Sequence, residues 1–145
     1  MGVFMDGIRR QLLAGKERRF IELGKKVAEM SDFREYRHGA VLVKGGSVIN
    51  TSANKNSYAP WGNRFRKRGC GHATHHAELG CILGLDRSVT KGATIYVVRL
   101  GKRGDLKLSK PCAMCREVLQ YVRIKKVVYT ISDRLIGSYR IINNE

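Results

Sequence analysis

The chain has 145 residues, 43% of them apolar, and carries 28 Lys and Arg against 12 Asp and Glu, a net charge of +16. That length supports one hydrophobic core and not two, so residues 1–145 are expected to form a single domain. No apolar run approaches the ~20 residues needed to span a bilayer, and the charge surplus favours polyanions or phosphorylated ligands as partners.

The segment Met1–Asp6 lacks the basic and apolar regions of a signal peptide, and Asp6 stands where a myristoylation site needs Ser or Thr. A cytoplasmic location is expected, with no membrane partner and with thiols kept reduced. Phe20, Leu23, Val27 and Met30 recur at spacings of three and four, which predicts an amphipathic helix over 17–30. Ile8, Leu12 and Leu13 suggest an earlier helical piece that breaks at Gly15. Two apolar runs, Ala40–Val43 and Val48–Ile49, flank Gly45-Gly46, and both glycines tolerate positive φ, so a β-hairpin is expected.

From Asn54 to Gly71 the periodicity is lost and turn residues dominate, with Arg64, Arg66, Lys67 and Arg68 grouped around Phe65. A second helix is expected to start near His75 and to turn Leu79, Ile82 and Leu83 inward. A third strand is expected over 92–100, a third helix over 112–122 and a fourth strand over 126–132. Strand, helix, strand over 93–131 implies a parallel pair. The residues after Ser132 are too few for a packed helix and another strand, so the chain should end in a short antiparallel fifth strand near Ser138–Ile142.

Two segments carry chemistry: His76-Ala77-Glu78 and Pro111-Cys112-Ala113-Met114-Cys115. His76 can offer an imidazole, and Cys112 and Cys115 offer thiolates at the gap that lets both sulfurs reach one Zn²⁺. Glu78 is placed to serve a water on that metal without being a ligand. Both segments open helices, so free backbone N–H groups near Ala77 and Cys112 would face the same point. A closed structural site made of Cys70, His76, Cys112 and Cys115 competes with this reading, but it has no use for the His-x-Glu spacing. A second metal site from Cys70, His72, His75 and Cys81 is the other option. Against it, Cys70 and Cys81 also suit small buried apolar positions. His38 has no partner in sequence and reads as a packed or surface histidine.

The order His-x-Glu…Pro-Cys-x-x-Cys is the signature of zinc-dependent nucleobase deaminases. With the order of elements around it, the chain from about Phe20 to Asp133 resembles the cytidine deaminase superfamily. The resemblance implies an α/β fold: a three-layer α-β-α sandwich with a mixed four- to five-stranded sheet. It implies that His76, Cys112 and Cys115 bind zinc, that Glu78 shuttles protons, and that Asn54 holds a ribose. It also implies a homo-oligomer, and it places Asp133 where several members of the family touch substrate.

Tyr58, Trp61 and Phe65 could stack on a base, and Arg64 and Arg66 could receive a phosphate. Cys115-Arg116-Glu117-Val118-Leu119 is similar to the corresponding stretch of free-nucleoside deaminases, whereas Ala113-Met114 before Cys115 is similar to tRNA adenosine deaminases. A cytosine nucleoside or nucleotide is the expected substrate. A base within nucleic acid comes second, and a non-catalytic zinc module that binds nucleic acid comes third.

Overall fold

The computed structural model describes residues 7–33, 35–58 and 74–142. In chain order it contains β1 (Arg9–Leu12), α1 (Gly15–Ala28), β2 (Arg37–Lys44), β3 (Ser47–Ala53), β4 (Lys55–Tyr58) and β5 (Thr74–His75). These are followed by α2 (Ala77–Ile82), α3 (Arg87–Thr90), β6 (Thr94–Leu100), β7 (Leu106–Lys107), α4 (Ala113–Tyr121), β8 (Lys126–Thr130) and β9 (Leu135–Arg140). Seven strands form one sheet in the order β1-β9-β8-β6-β2-β3, with β7 also on β6, while β4 and β5 pair separately. Only β6 and β8 run parallel, joined by the crossover that carries α4; the other pairs in the sheet are antiparallel.

Alternation along the strands divides the core into two layers. Val41, Val43, Tyr96, Val98, Val128 and Ile136 face α1, which buries Phe20, Ile21 and Ala28 against them. Ala40, Leu42, Ile95, Val97, Val127 and Tyr129 face α2 and α4, which contribute Leu79, Ile82, Met114, Val118 and Leu119. Each of the larger apolar side chains contributes roughly 1.5–3 kcal/mol by leaving water. Helix α1 sits unusually close to the sheet. A Cβ at Gly24 would lie 2.6 Å from Val98 Cγ2, and one at Gly39 would run into the backbone of Gly24 and Ala28.

The hairpin forms where the paired glycines placed it: Lys44 pairs with Ser47, and Gly45 and Gly46 take φ of 60° and 80°. A bulge at Leu42/Val43 then shifts the register by one residue. The antiparallel last strand is also as expected, although it spans Leu135–Arg140 rather than Ser138–Ile142.

Two expectations need correction. The sheet has seven strands, not four or five, and residues 9–12 form a strand where a helical piece was expected. Arg9, Arg10, Gln11 and Leu12 are all exposed, so no apolar stripe rewards a helix there. The open edge of β9 offers backbone partners instead, and the pairing of Leu12 with Leu135 delivers Leu13 into the core. Among the described residues no helix is long and apolar enough to cross a membrane.

Candidate metal centre and active site

The two helices under the sheet begin at the residues that carry the motif. His76 is the N-cap of α2 and Cys112 the N-cap of α4, both with extended backbone, and neither side chain caps its own helix. Ser, Thr, Asp or Asn would normally occupy such positions and take a first-turn N–H. Here the side chains turn elsewhere. Cys115 lies about one turn into α4 and so falls on the same side as Cys112. The ligand atoms of His76, Cys112 and Cys115 all lie within 4.8 Å of one another, with His76 Nδ1 at 3.3 Å from Cys115 Sγ. Tetrahedral zinc, with bonds of about 2.0–2.3 Å, needs ligand atoms roughly 3.5–3.8 Å apart, so the three side chains fit such an ion with little movement.

The electrostatics point the same way. The hydrogen bond from the Cys115 thiol, aided by one to His76, brings the Cys112 thiol down to about 3 against the opposing effect of burial. Cys115 is pushed well above the ordinary thiol value, first by that same hydrogen bond to Cys112 and then by burial. His76 is raised, chiefly by its hydrogen bond to Cys112. The pair thus shares one proton, and a divalent cation would displace it and hold both sulfurs as thiolates.

Cys81 takes no part. Its thiol is fully buried, donates to the Ala40 carbonyl at 3.3 Å, and is pushed up to about 12 by burial. It is a small apolar residue of the core. Cys70 and His72 lie outside the described residues, as does the side chain of His75, and with them the alternative metal sites.

Glu78, second in α2, is 6% exposed. It lines a cavity of about 310 Å³ together with His76, Ala77, Cys112, Asn54, His38, Phe33, Tyr36, Ser109 and Lys110. The volume is at the lower end of the ~300–1,000 Å³ of small-molecule sites.

Asn54 follows β3 and is held on three sides. Its Oδ1 accepts from the His38 N–H at 2.8 Å and from the Ser31 hydroxyl at 2.5 Å, and its Nδ2 donates to the Tyr36 carbonyl at 2.6 Å. Both acceptor lone pairs are engaged and one N–H remains. The bulge in the hairpin matters here, because it brings Asn54 rather than Ala53 opposite His38.

His38 was not legible as a site residue. Its ring reaches the Tyr36 carbonyl at 3.3 Å, and burial, the largest influence, lowers its basicity. The hairpin register was the one signal that could have placed it beside Asn54, and the bulge hid it.

A buried hydroxyl pair fixes the approach to Pro111. Ser109 Oγ donates to the Val97 carbonyl at 2.7 Å and accepts from the Thr130 N–H at 2.8 Å, while Thr130 Oγ1 donates to the Lys107 carbonyl at 2.6 Å. Lys110, Pro111 and Cys112 follow directly from this anchor.

Of the aromatic residues, Phe33 and Tyr36 line the cavity. The side chain of Tyr58, together with Trp61, Phe65, Arg64, Arg66, Lys67 and Arg68, falls outside the described residues. The carboxylate of Asp133 accepts from the Leu106 N–H at 2.8 Å and fixes the turn into β7.

Comparison with known proteins adds the family. Two solved structures share the fold. The dCMP deaminase of cyanophage S-TIM5, in apo form, has a TM-score of 0.57 and 19% identity over 79% of this chain and 81% of its own. Acinetobacter baumannii RibD has a TM-score of 0.51 and 21% identity over 80% of this chain and 28% of its own. A structure from studies of A-to-I editing by tRNA:A34 deaminases is 30% identical over 79% of this chain and 76% of its own, with a TM-score of 0.51. No curated protein matches the chain. The model of the cytidine and deoxycytidylate deaminase zinc-binding region matches residues 15–131, a span that holds both metal-bearing segments, and the chain belongs to that family.

Proposed function

We propose that the protein is a zinc-dependent hydrolase that removes the amine of a cytosine nucleoside or nucleotide and releases ammonia. The observation that carries this reading is that a His-Cys-Cys ligand cluster and a buried carboxylate, Glu78, line one cavity of about 310 Å³. His76, Cys112 and Cys115 would hold the metal. When bound, zinc makes water acidic enough to act as a nucleophile near neutral pH.

The chain's own groups do the rest. The Glu78 carboxylate takes one proton of the attacking water and passes it to the ring nitrogen, then carries the second, from the hydroxyl now on the ring carbon, to the departing amine; a carbonyl and ammonia result. The remaining N–H of Asn54 is a donor for a sugar hydroxyl, and the backbone N–H of Ala77 is a donor at the base. Phe33 and Tyr36 offer ring faces at the cavity wall. Lys110 supplies a cation for a phosphate at the rim, a role that Arg64 and Arg66 would share. A homo-oligomer accompanies this reading, supported by Val48 and Ile49, which stand exposed on the outermost strand β3.

A second reading, a deaminase acting on a base within nucleic acid, is favoured by the 30% identity to a tRNA:A34 deaminase and by the net charge of +16. A cavity of this size suits it too, since such enzymes draw a single flipped base into a fitted pocket. Ammonia release from cytidine, deoxycytidine, CMP, dCMP, adenosine and tRNA decides the matter. Turnover of a cytosine monomer supports the first reading, turnover of tRNA alone replaces it with the second, and no turnover of any by zinc-loaded protein overturns both.

A further inference from the structure

The edge of the sheet remote from the catalytic cavity holds a small pocket of about 80 Å³, lined by Arg9, Gln11, Lys126, Ser138 and Arg140 with the backbone around them. Strand register explains the grouping. Arg9 lies opposite Ser138, Gln11 opposite Ile136, and Lys126 opposite Arg140. Because directly paired residues share a face, all five side chains stand on the face that α1 covers further along. His76, Glu78 and the two cysteines lie under the other face. They also lie towards the far end of β8, where Thr130 holds Ser109, so about 13 Å of strand separates the two places.

The composition of this pocket is costly without a ligand. Lys126 and Arg140 are like charges directly across a strand pair, an arrangement that destabilises a sheet. Arg9 adds a third cation, and among the described residues no carboxylate lines the pocket. The ion pairs formed among the described residues, Lys102–Glu35 and Lys107–Asp105, involve none of these three. Ser138, only 7% exposed, lines the same pocket. Five side chains therefore present donors to one space, and the two guanidinium groups can each bind an oxyanion through two parallel N–H groups.

We propose that these residues form an oxyanion site that takes a phosphate group, separate from the catalytic cavity. Three positive charges match the ≈ −1.5 to −2 of a phosphomonoester, and the volume admits one such group without an attached base. The phosphate can come from a small molecule or from the backbone of a nucleic acid, and the chemistry of recognition is the same for both.

The test is NMR titration of the zinc-loaded full chain with inorganic phosphate and, separately, with a short single-stranded RNA. It is repeated on the Lys126→Gln/Arg140→Gln variant. The amide signals of Arg9, Ser138 and Arg140 should move in a saturable way, and the variant should bind about tenfold more weakly or worse. Saturation by inorganic phosphate identifies a small-molecule source. Movement with RNA alone identifies a polymer, and the salt dependence of binding should then fall in the variant by about 0.7 in log–log slope for each lost contact. If neither probe moves these signals, or if the variant binds as well as the parent, the site does not exist. Thermal melting in phosphate-free buffer checks that the variant is folded. Should it not be, Arg9→Gln, on the exposed edge strand, carries the same comparison. Ammonia release plays no part in the readout, so the inference stands or falls apart from the proposed activity.

Discussion

The two helical layers on this sheet solve different problems. The α1 layer is one 14-residue helix laid along the strands, held by apolar side chains and by two glycines that let backbone meet backbone. The opposite layer is made of shorter helices of six and nine residues whose first turns, not their flanks, carry the chemistry. There the core also contains Glu78, a thiol pair and an anchored loop. One layer obtains rigidity from close packing, and the other uses that rigidity to hold polar groups that would be unfavourable elsewhere.

The largest expected effect breaks function without disturbing the packing of either layer. Glu78→Gln should lower deaminase turnover about 10²–10⁴-fold, the usual contribution of a positioned general acid–base. The zinc content and melting temperature should stay at the parent's values, because a proton carrier is lost and no ligand is. Metal analysis beside activity is the measurement; loss of zinc would make Glu78 part of the metal site, and parental turnover would remove it from the reaction.

Next comes the reverse case, a change confined to the α1 layer. Gly39→Ala puts a methyl group into the backbone of Gly24 and Ala28, which cannot yield as a side chain tip can. A loss of about 3 kcal/mol is expected in denaturant unfolding, with zinc stoichiometry unchanged below the transition. An unaltered midpoint would show that the helix sits less closely than described.

Ser109→Ala sharpens the comparison at the boundary. It leaves the Thr130 N–H and the Val97 carbonyl without their partner in a buried place, at a cost of about 1–2 kcal/mol. Because Cys112 follows three residues later, zinc should also leave faster to a competing chelator, an effect that Gly39→Ala should not show. Equal chelation rates in the two variants would separate the hydroxyl pair from the metal site.

Much of this was readable in the sequence, and the misses share a cause. The hairpin, the parallel pair and the metal-bearing segments rest on local signals: paired glycines, buried β-branched runs, and fixed ligand spacings. His38, Ser109 and Thr130 acquire their roles only across the sheet, where a one-residue bulge decides which side chain meets Asn54. The strand at Arg9–Leu12 has no core-facing stripe of its own and exists because β9 has an unpaired edge. The basic pocket was invisible for the same reason, since Arg9, Lys126 and Arg140 belong to three separate strands.

The parallel pairing of β6 and β8 governs when the metal centre forms as well as where. His76 precedes β6 and the two cysteines follow it, so the ligands meet only after the chain has passed through the sheet and begun its crossover. Such long-range closures pay their loop entropy before any contact repays it, and they come late in folding. A nascent or partly unfolded chain therefore holds a Cys-x-x-Cys pair in α4 but no complete ligand set. Firm retention of zinc becomes a report that the central sheet has closed, and metal release on heating should track the opening of β6 from β8 rather than the fraying of either helix.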